Sequence, residues 1–178
     1  SYLGTFGRDV ENAPEEFGAN VVANVRLAQQ FDAQDVGDAL TAQTTYFHNW
    51  QLFFDDHDFL VTPTAAADAR DWHQMYPTDI DGVPTETYYH WLALAYAVTI
   101  AGHPAITRPC GTDGNGVPFG LQIIGRRHDE SGVLAFAQAL EAVIAGLDAF
   151  APQPPDITSL MQAPPLRDAE GFWPQTLL

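Results

Sequence analysis

The chain has 178 residues, 46% of them hydrophobic and 12% aromatic, enough to build a buried core without metal or disulfide support. It contains no lysine: seven arginines, at positions 8, 26, 70, 108, 126, 127 and 167, face 23 carboxylates, for a formal net charge of -16. Such a surface repels phosphate backbones and anionic lipid, which disfavours a nucleic-acid partner and a membrane-surface role and suits solubility at high salt.

Cys110 is the single cysteine, which excludes an internal disulfide and points to a reducing cytoplasm. No stretch has the length and apolarity of a membrane span, and residues 1–20 lack the charged and apolar regions of a signal peptide.

Pro14 with Glu15 and Glu16 marks a helix N-terminus, behind which Phe17, Val21, Val25 and Ala28 recur at helical spacing. Asp32 then caps a longer helix that carries Val36, Leu40, Phe47, Trp50 and Phe54 near one face and ends before Asp55. Residues 58–62 form a short apolar run stopped by Pro63 and read as a buried strand. Residues 63–85, with Ala65-Ala66-Ala67 and the polar Thr78-Asp79-Ile80-Asp81-Gly82, make a long excursion of the functional or mobile kind.

The run 91–100 is apolar on almost every side and predicts a helix buried all round. Gly102 ends it in the left-handed conformation, and Pro104 prevents it from resuming. Residues 105–108 read as a strand, 113–116 as a turn and 119–124 as the antiparallel partner. Ser131 or Asp129 caps a last helix carrying Leu134, Ala137, Leu140, Glu141 and Ile144, closed near Gly146. Six of the 13 prolines lie beyond Ala151. The expected organisation is therefore one α/β domain over residues 1–151 and a proline-rich, extended tail over 152–178.

Chemical motifs are mostly negative. Neither Ser1, Ser131 nor Ser159 sits in a Gly-x-Ser-x-Gly elbow, which argues against a self-contained serine hydrolase. Cys110, between Pro109 and Gly111 at a strand end, reads as a buried small hydrophobe rather than a nucleophile. Asp79-Ile80-Asp81-Gly82 looks like part of a calcium loop, but Pro77 and Tyr88 would occupy its first and twelfth ligand positions and neither supplies a carboxylate. Asp55-Asp56-His57-Asp58 lies at a helix end where carboxylates are solvated, and the six histidines show no zinc-ligand spacing. Arg126-Arg127 reads as a solvated or ion-paired surface.

Three segments, taken in order, change the argument: residues 59–64, Phe-Leu-Val-Thr-Pro-Thr; residues 101–111, with Gly102-His103-Pro104 and Arg108-Pro109-Cys110-Gly111; and residues 116–125, with Phe119-Gly120-Leu121-Gln122-Ile123-Ile124-Gly125. Together they closely resemble the C-terminal part of amidase signature enzymes, over about residues 15–147. The resemblance implies an α/β fold whose mixed β-sheet is covered by helices, of which this chain would be the C-terminal portion. It also implies a hydrolase that cuts a carboxamide through a serine nucleophile, a second serine and a deprotonated lysine, with a glycine- and serine-rich loop as oxyanion hole and with no cofactor or metal. Both the loop and the lysine belong to the N-terminal part of such enzymes, so no catalytic residue is expected here.

What remains for such a segment is scaffold and substrate pocket, with the missing N-terminal part and a small-molecule amide as its partners and a homodimer as a further expectation. Candidate substrate-binding residues are Thr62 and Thr64 at a strand end, Trp72, His73 and Tyr76 in the long excursion, and His103 at the helix-to-strand turn. The alternative is a non-catalytic dimerisation or regulatory module that keeps the scaffold, and a third reading is the amide-forming relative that serves charged transfer RNA, against which the charge argues. The apolar run 91–100 and the strand 58–62 need covering on more than one face. The isolated chain is accordingly expected to self-associate despite its charge; sedimentation showing a monodisperse monomer with a sharp thermal transition would contradict this.

Overall fold

The computed structural model describes residues 2–68, 74, 76–85, 87, 89–150 and 154–165. The chain forms two compact units, Ser1–Ala42 with Pro155–Leu178, and Gln43–Pro154. No helix among the described residues is long and apolar enough to cross a membrane.

The first unit is helical. Helix α1 (Tyr2–Asn12), which the sequence pattern did not announce, lies against α2 (Ala19–Ala28), with Val10 and Val25 buried and Phe6 edge-on to Phe17 at 6.2 Å between ring centroids. The helix expected from Pro14 onward is broken: Pro14–Glu16 form one 3-10 turn, Phe17 is extended, and α2 starts only after Gly18, whose extended backbone serves as N-cap. Asp32 caps α3 (Ala33–Asp56) as expected, accepting from the Gln34 and Asp35 N–H groups at 2.8 and 3.0 Å. The Asp35 carboxylate accepts the Asp32 N–H in return at 2.9 Å, a reciprocal cap that satisfies donors on both sides of the helix start.

The second unit is a three-stranded sheet with helices on both faces. Strands β1 (Phe59–Pro63), β4 (Ala105–Thr112) and β5 (Pro118–Gly125) are ordered β1-β5-β4, with every pairing antiparallel. The parallel pairings of a mixed sheet do not occur among the described residues. Successive residues of the central strand point to opposite faces. On one face Ile124, 1% exposed, packs with Leu60 and with Trp50, Phe53 and Phe54 of α3 and Val98 of α4 (Ala93–Ala101). On the other, Ile123, 0% exposed, packs with Phe59 and Ile106 and with Val133, Phe136, Ala137 and Leu140 of α5 (Glu130–Ile144). Burying each isoleucine contributes about 1.5–3 kcal/mol.

Connections follow from turn chemistry. Asp113 organises the β4–β5 turn by accepting from the Asn115 and Val117 N–H groups at 2.8 and 2.9 Å, while Gly116 takes a φ of 79°. α4 ends in a Schellman motif: Gly102, at φ 70°, donates to Thr99 O at 3.2 Å, and the His103 N–H donates to Val98 O at 3.4 Å. Asp129, not Ser131, caps α5, accepting from the Gly132 N–H at 3.0 Å. The pair β1–β5 closes so tightly on α5 that a Cβ added to Gly125 would run into the Val133 Cγ2 methyl.

Four expectations change. α4 is not buried all round: Tyr96 and Ile100 are 39% and 43% exposed, because α3 and the sheet cover only the side carrying Val98 and Ala101. In the same way Val36 and Leu40 of α3 are exposed while Trp50 and Phe54 meet the sheet. The excursion after β1 contains a two-stranded hairpin, β2 (Asp79–Ile80) and β3 (Val83–Pro84), turned by Asp81 and Gly82 at φ 51° and 75°. Both central residues at positive φ is the two-residue hairpin geometry, so the polar stretch that looks like part of a calcium loop is a turn signal. The tail is not wholly extended: α6 (Ile157–Gln162) is capped by Asp156, whose carboxyl the Ser159 hydroxyl and N–H hold below its ordinary range.

Gly125→Ala should destabilise the chain by about 1–3 kcal/mol through overpacking. Combining it with Val133→Ala should cost less than the sum of the two single changes, measured by urea unfolding as a double-mutant cycle; simple additivity would contradict the tight packing.

Candidate substrate cleft

The carboxyl end of β1 opens onto the cleft. Strand alternation places Leu60, Thr62 and Thr64 on one face, so the apolar contact with α3 and α4 gives way to hydroxyls as the strand leaves the core. Thr62 is paired with Gln122 on β5, and Gln122 with Thr107 on β4. Gln122 is a buried polar side chain on the central strand, 7% exposed. Its Nε2 donates to the Leu94 carbonyl at 3.1 Å and to Thr62 Oγ1 at 3.4 Å, tying β1 and the first turn of α4 to the middle of the sheet.

One step further, the Thr64 N–H donates to Gly120 O at 3.0 Å. Its hydroxyl oxygen is buried with no hydrogen-bond partner among the described residues. A Cβ on Gly120 would come within 2.8 Å of that oxygen and 3.2 Å of Thr107 Cγ2, so glycine is what lets the two threonines approach across the strand. Around Thr64, Thr107 and Gly120 lies a cleft of about 660 Å³. Its walls are the Ala65–Asp68 segment and the β2–β3 hairpin on one side, and Asp113 with residues 117–119 on the other.

Of the expected site residues, Thr64 lines this cleft, while Thr62 sits one pair deeper and is bound to Gln122. Tyr76 is half-buried and is not among the described lining residues. Trp72 and His73 lie outside the described residues. His103 does not reach the cleft. It is 7% exposed, stacked on Phe54 and tilted against Trp50 at 4.8 and 5.2 Å between centroids, with Nδ1 2.9 Å from Gly125 O and Nε2 3.1 Å from Gln51 Nε2. A carbonyl only accepts, so Nδ1 carries the proton and Nε2 accepts from the Gln51 amide. Both ring nitrogens are thus occupied in joining α3 to the end of β5.

Thr107, Gly120 and the acidic walls were missed as cleft residues because they converge only through sheet pairing. Gln122 had a visible signal, a lone amide inside the apolar run Leu121-Gln122-Ile123-Ile124.

Among the described residues, no serine, cysteine, histidine or lysine lines the cleft. Cys110 is buried, as expected. Ser131 and Ser159 donate to the cap residues Asp129 and Asp156 at 3.4 and 2.5 Å. No group of three or more His, Cys, Asp or Glu side chains among the described residues is arranged to hold a metal. Arg127 lies over the Phe47 ring at 5.3 Å, and Arg108 is ion-paired with Glu141 of α5.

Among the described residues this is a helix-covered α/β sheet with a pocket at its strand ends. The amidase family model matches residues 9–134, and the chain belongs to that family. It is 32% identical over 136 residues to an acylamidase of Rhodococcus erythropolis, covering 76% of this chain and 28% of that one. It is 37% identical over 110 residues to a glutamyl-tRNA(Gln) amidotransferase polypeptide of Thermodesulfovibrio yellowstonii, covering 58% and 20%.

Among solved structures, a bacterial aryl acylamidase of the amidase signature family superimposes with a TM-score of 0.63 at 23% identity, over 80% of this chain and 30% of the other. Another amidase superimposes with a TM-score of 0.69 at 20% identity, over 78% and 31%. The fold expectation is thereby met. The chain spans between 20% and 28% of the length of these curated relatives.

His103→Leu removes both side-chain hydrogen bonds and leaves the Gly125 carbonyl and the Gln51 amide without them, for a loss of about 1–3 kcal/mol. Urea unfolding checks this; unchanged stability would show that the imidazole is not the structural link its contacts describe.

Proposed function

We propose that the chain is the scaffold and substrate-pocket segment of an amidase that hydrolyses a carboxamide C–N bond to a carboxylate and ammonia or an amine. In this reading it contributes one end of the sheet and one wall of the acyl pocket, and the catalytic Ser-Ser-Lys residues come from polypeptide outside it. The observation that carries the reading is a formed cleft at the end of β1, lined by Thr64, Thr107 and Gly120, in a chain of this family that contains no lysine. Water must be activated and the tetrahedral oxyanion held for the C–N bond to break, and the described residues of the cleft offer neither a base-paired nucleophile nor a loop of converging N–H donors. Its hydroxyls, backbone edges and apolar walls suit the other task, holding the substrate so that remote binding energy orients the amide.

The outer edges of β1 and β4, which no strand among the described residues pairs, and the exposed side of α4 support the same reading, as surfaces a larger fold would cover. The buried lone thiol fits a cytoplasmic enzyme. The similarity to glutamyl-tRNA(Gln) amidotransferases raises a transfer-RNA-dependent role, and the net charge of -16 weighs against it.

Denaturing intact-mass measurement of the natural protein, paired with an amide-hydrolysis assay, tests the proposal. A lysine-bearing polypeptide that contains or accompanies this sequence and hydrolyses amides is expected, with the 178-residue chain alone inactive. Hydrolysis by that chain alone, or a natural species of 19.5 kDa without any companion, overturns it; the second result favours the non-catalytic module.

A further inference from the structure

The cleft has a second property, its charge. Asp68, Asp79, Asp81 and Asp113 line it, and no cationic side chain among the described residues does. The chain has no lysine to supply one. Of the described arginines in this unit, Arg108 is bound to Glu141, Arg127 lies over Phe47, and Arg126 is not a lining residue. Two of the carboxylates are fixed in place by their turns: Asp79 accepts from the Gly82 N–H at 3.2 Å, and Asp113 from Asn115 and Val117. Neither the Asp68 nor the Asp81 carboxylate has a hydrogen-bond or ion-pair partner among the described residues. The remaining walls are alanines, Ile80, Val117, Pro118 and Phe119, which carry no charge. On the floor, the Thr64 hydroxyl is neutral and unpartnered among the described residues.

A substrate carboxylate entering this space meets like charges and no counter-charge among the described residues, whereas an alkyl group meets apolar walls and an ammonium gains counter-charges. Resting on the reading of the cleft as the amide pocket, we infer that this chain sets the charge selectivity of the enzyme: it admits amides whose far end is neutral or cationic and excludes those that carry a carboxylate. Asp68 and Asp81 are the specificity-determining residues.

The test uses the full natural polypeptide that carries this sequence and three amides of matched size, pentanamide, 4-aminobutanamide and glutaramate, which present CH3, NH3+ and COO- at the same position. At low ionic strength, kcat/KM for glutaramate should fall at least about tenfold below the other two, a gap that 1 M salt narrows. Asp68→Asn combined with Asp81→Asn should bring glutaramate to within about threefold of pentanamide, mainly through KM. Asp9→Asn with Asp38→Asn, which removes the same net charge from residues that do not line the cleft, should leave the gap open.

Glutaramate turned over as well as pentanamide would overturn the inference while leaving the amide pocket standing. A gap that survives Asp68→Asn/Asp81→Asn would also overturn it, by moving the selectivity to other residues. Hydrolysis of none of the three, or kinetics of Thr64→Val identical to the parent for all of them, would remove the pocket reading and the inference with it.

Discussion

The second unit depends on one strand being covered from both sides. Ile123 and Ile124 are neighbours in sequence, point in opposite directions and are both buried, so β5 fixes where α3 and α4 lie on one face and where α5 lies on the other. A one-residue slip of its pairing would exchange the two faces and place Gln122 among the side chains of α5. The register is therefore held by hydrophobic burial on both faces, with the Gln122 amide and the Gly125–Val133 contact as local locks.

The same strand connects core to cleft. Moving along it from Gly125 toward Pro118, the face shared with β1 changes from Ile124 beside Leu60 to Gln122 beside Thr62 and then to Gly120 beneath Thr64. Apolar contact, amide bridge and unpartnered hydroxyl follow at two-residue intervals among the described residues, the pleat repeat. A pocket built in this way has the sheet as its floor and the Ala65–Asp68 segment and the hairpin among its walls. His103 reinforces the opposite end of the same face, joining α3 to β5 through Gln51 and Gly125.

Much of this was legible in the residues, and the reasons are local. The Thr-Pro end of β1, the glycine stop at Gly102, the Asp113 turn and the Asp129 cap each have a short-range physical cause, and each formed where expected. What could not be read depended on distant partners. The run 91–100 looks buried from its composition, but how much of it is covered depends on which elements reach it, and only one side is. α1 escaped notice because its glycines and polar residues blur the apolar pattern, in which Val10 is the buried hydrophobic residue among those described. The Asp81-Gly82 pair was conspicuous, yet its role as a hairpin turn becomes evident only once Ile80 and Val83 are seen as partners. The cleft is the extreme case: Thr64, Thr107 and Gly120 come from the end of β1, from β4 and from β5, and no sequence spacing relates them.

The end of β4 carries one more consequence. Gly111, at φ 69°, lies against the backbone of Ala149, where an added Cβ would approach the carbonyl oxygen to 2.7 Å, and Cys110 is buried immediately before it. Because this is the sole sulfhydryl in the chain, a thiol-reactive dye has one address, and its reaction rate reports local opening around that buried side chain. The molecule thus contains its own clock for local opening at the end of β4, one that can be timed without adding a label site to the sequence.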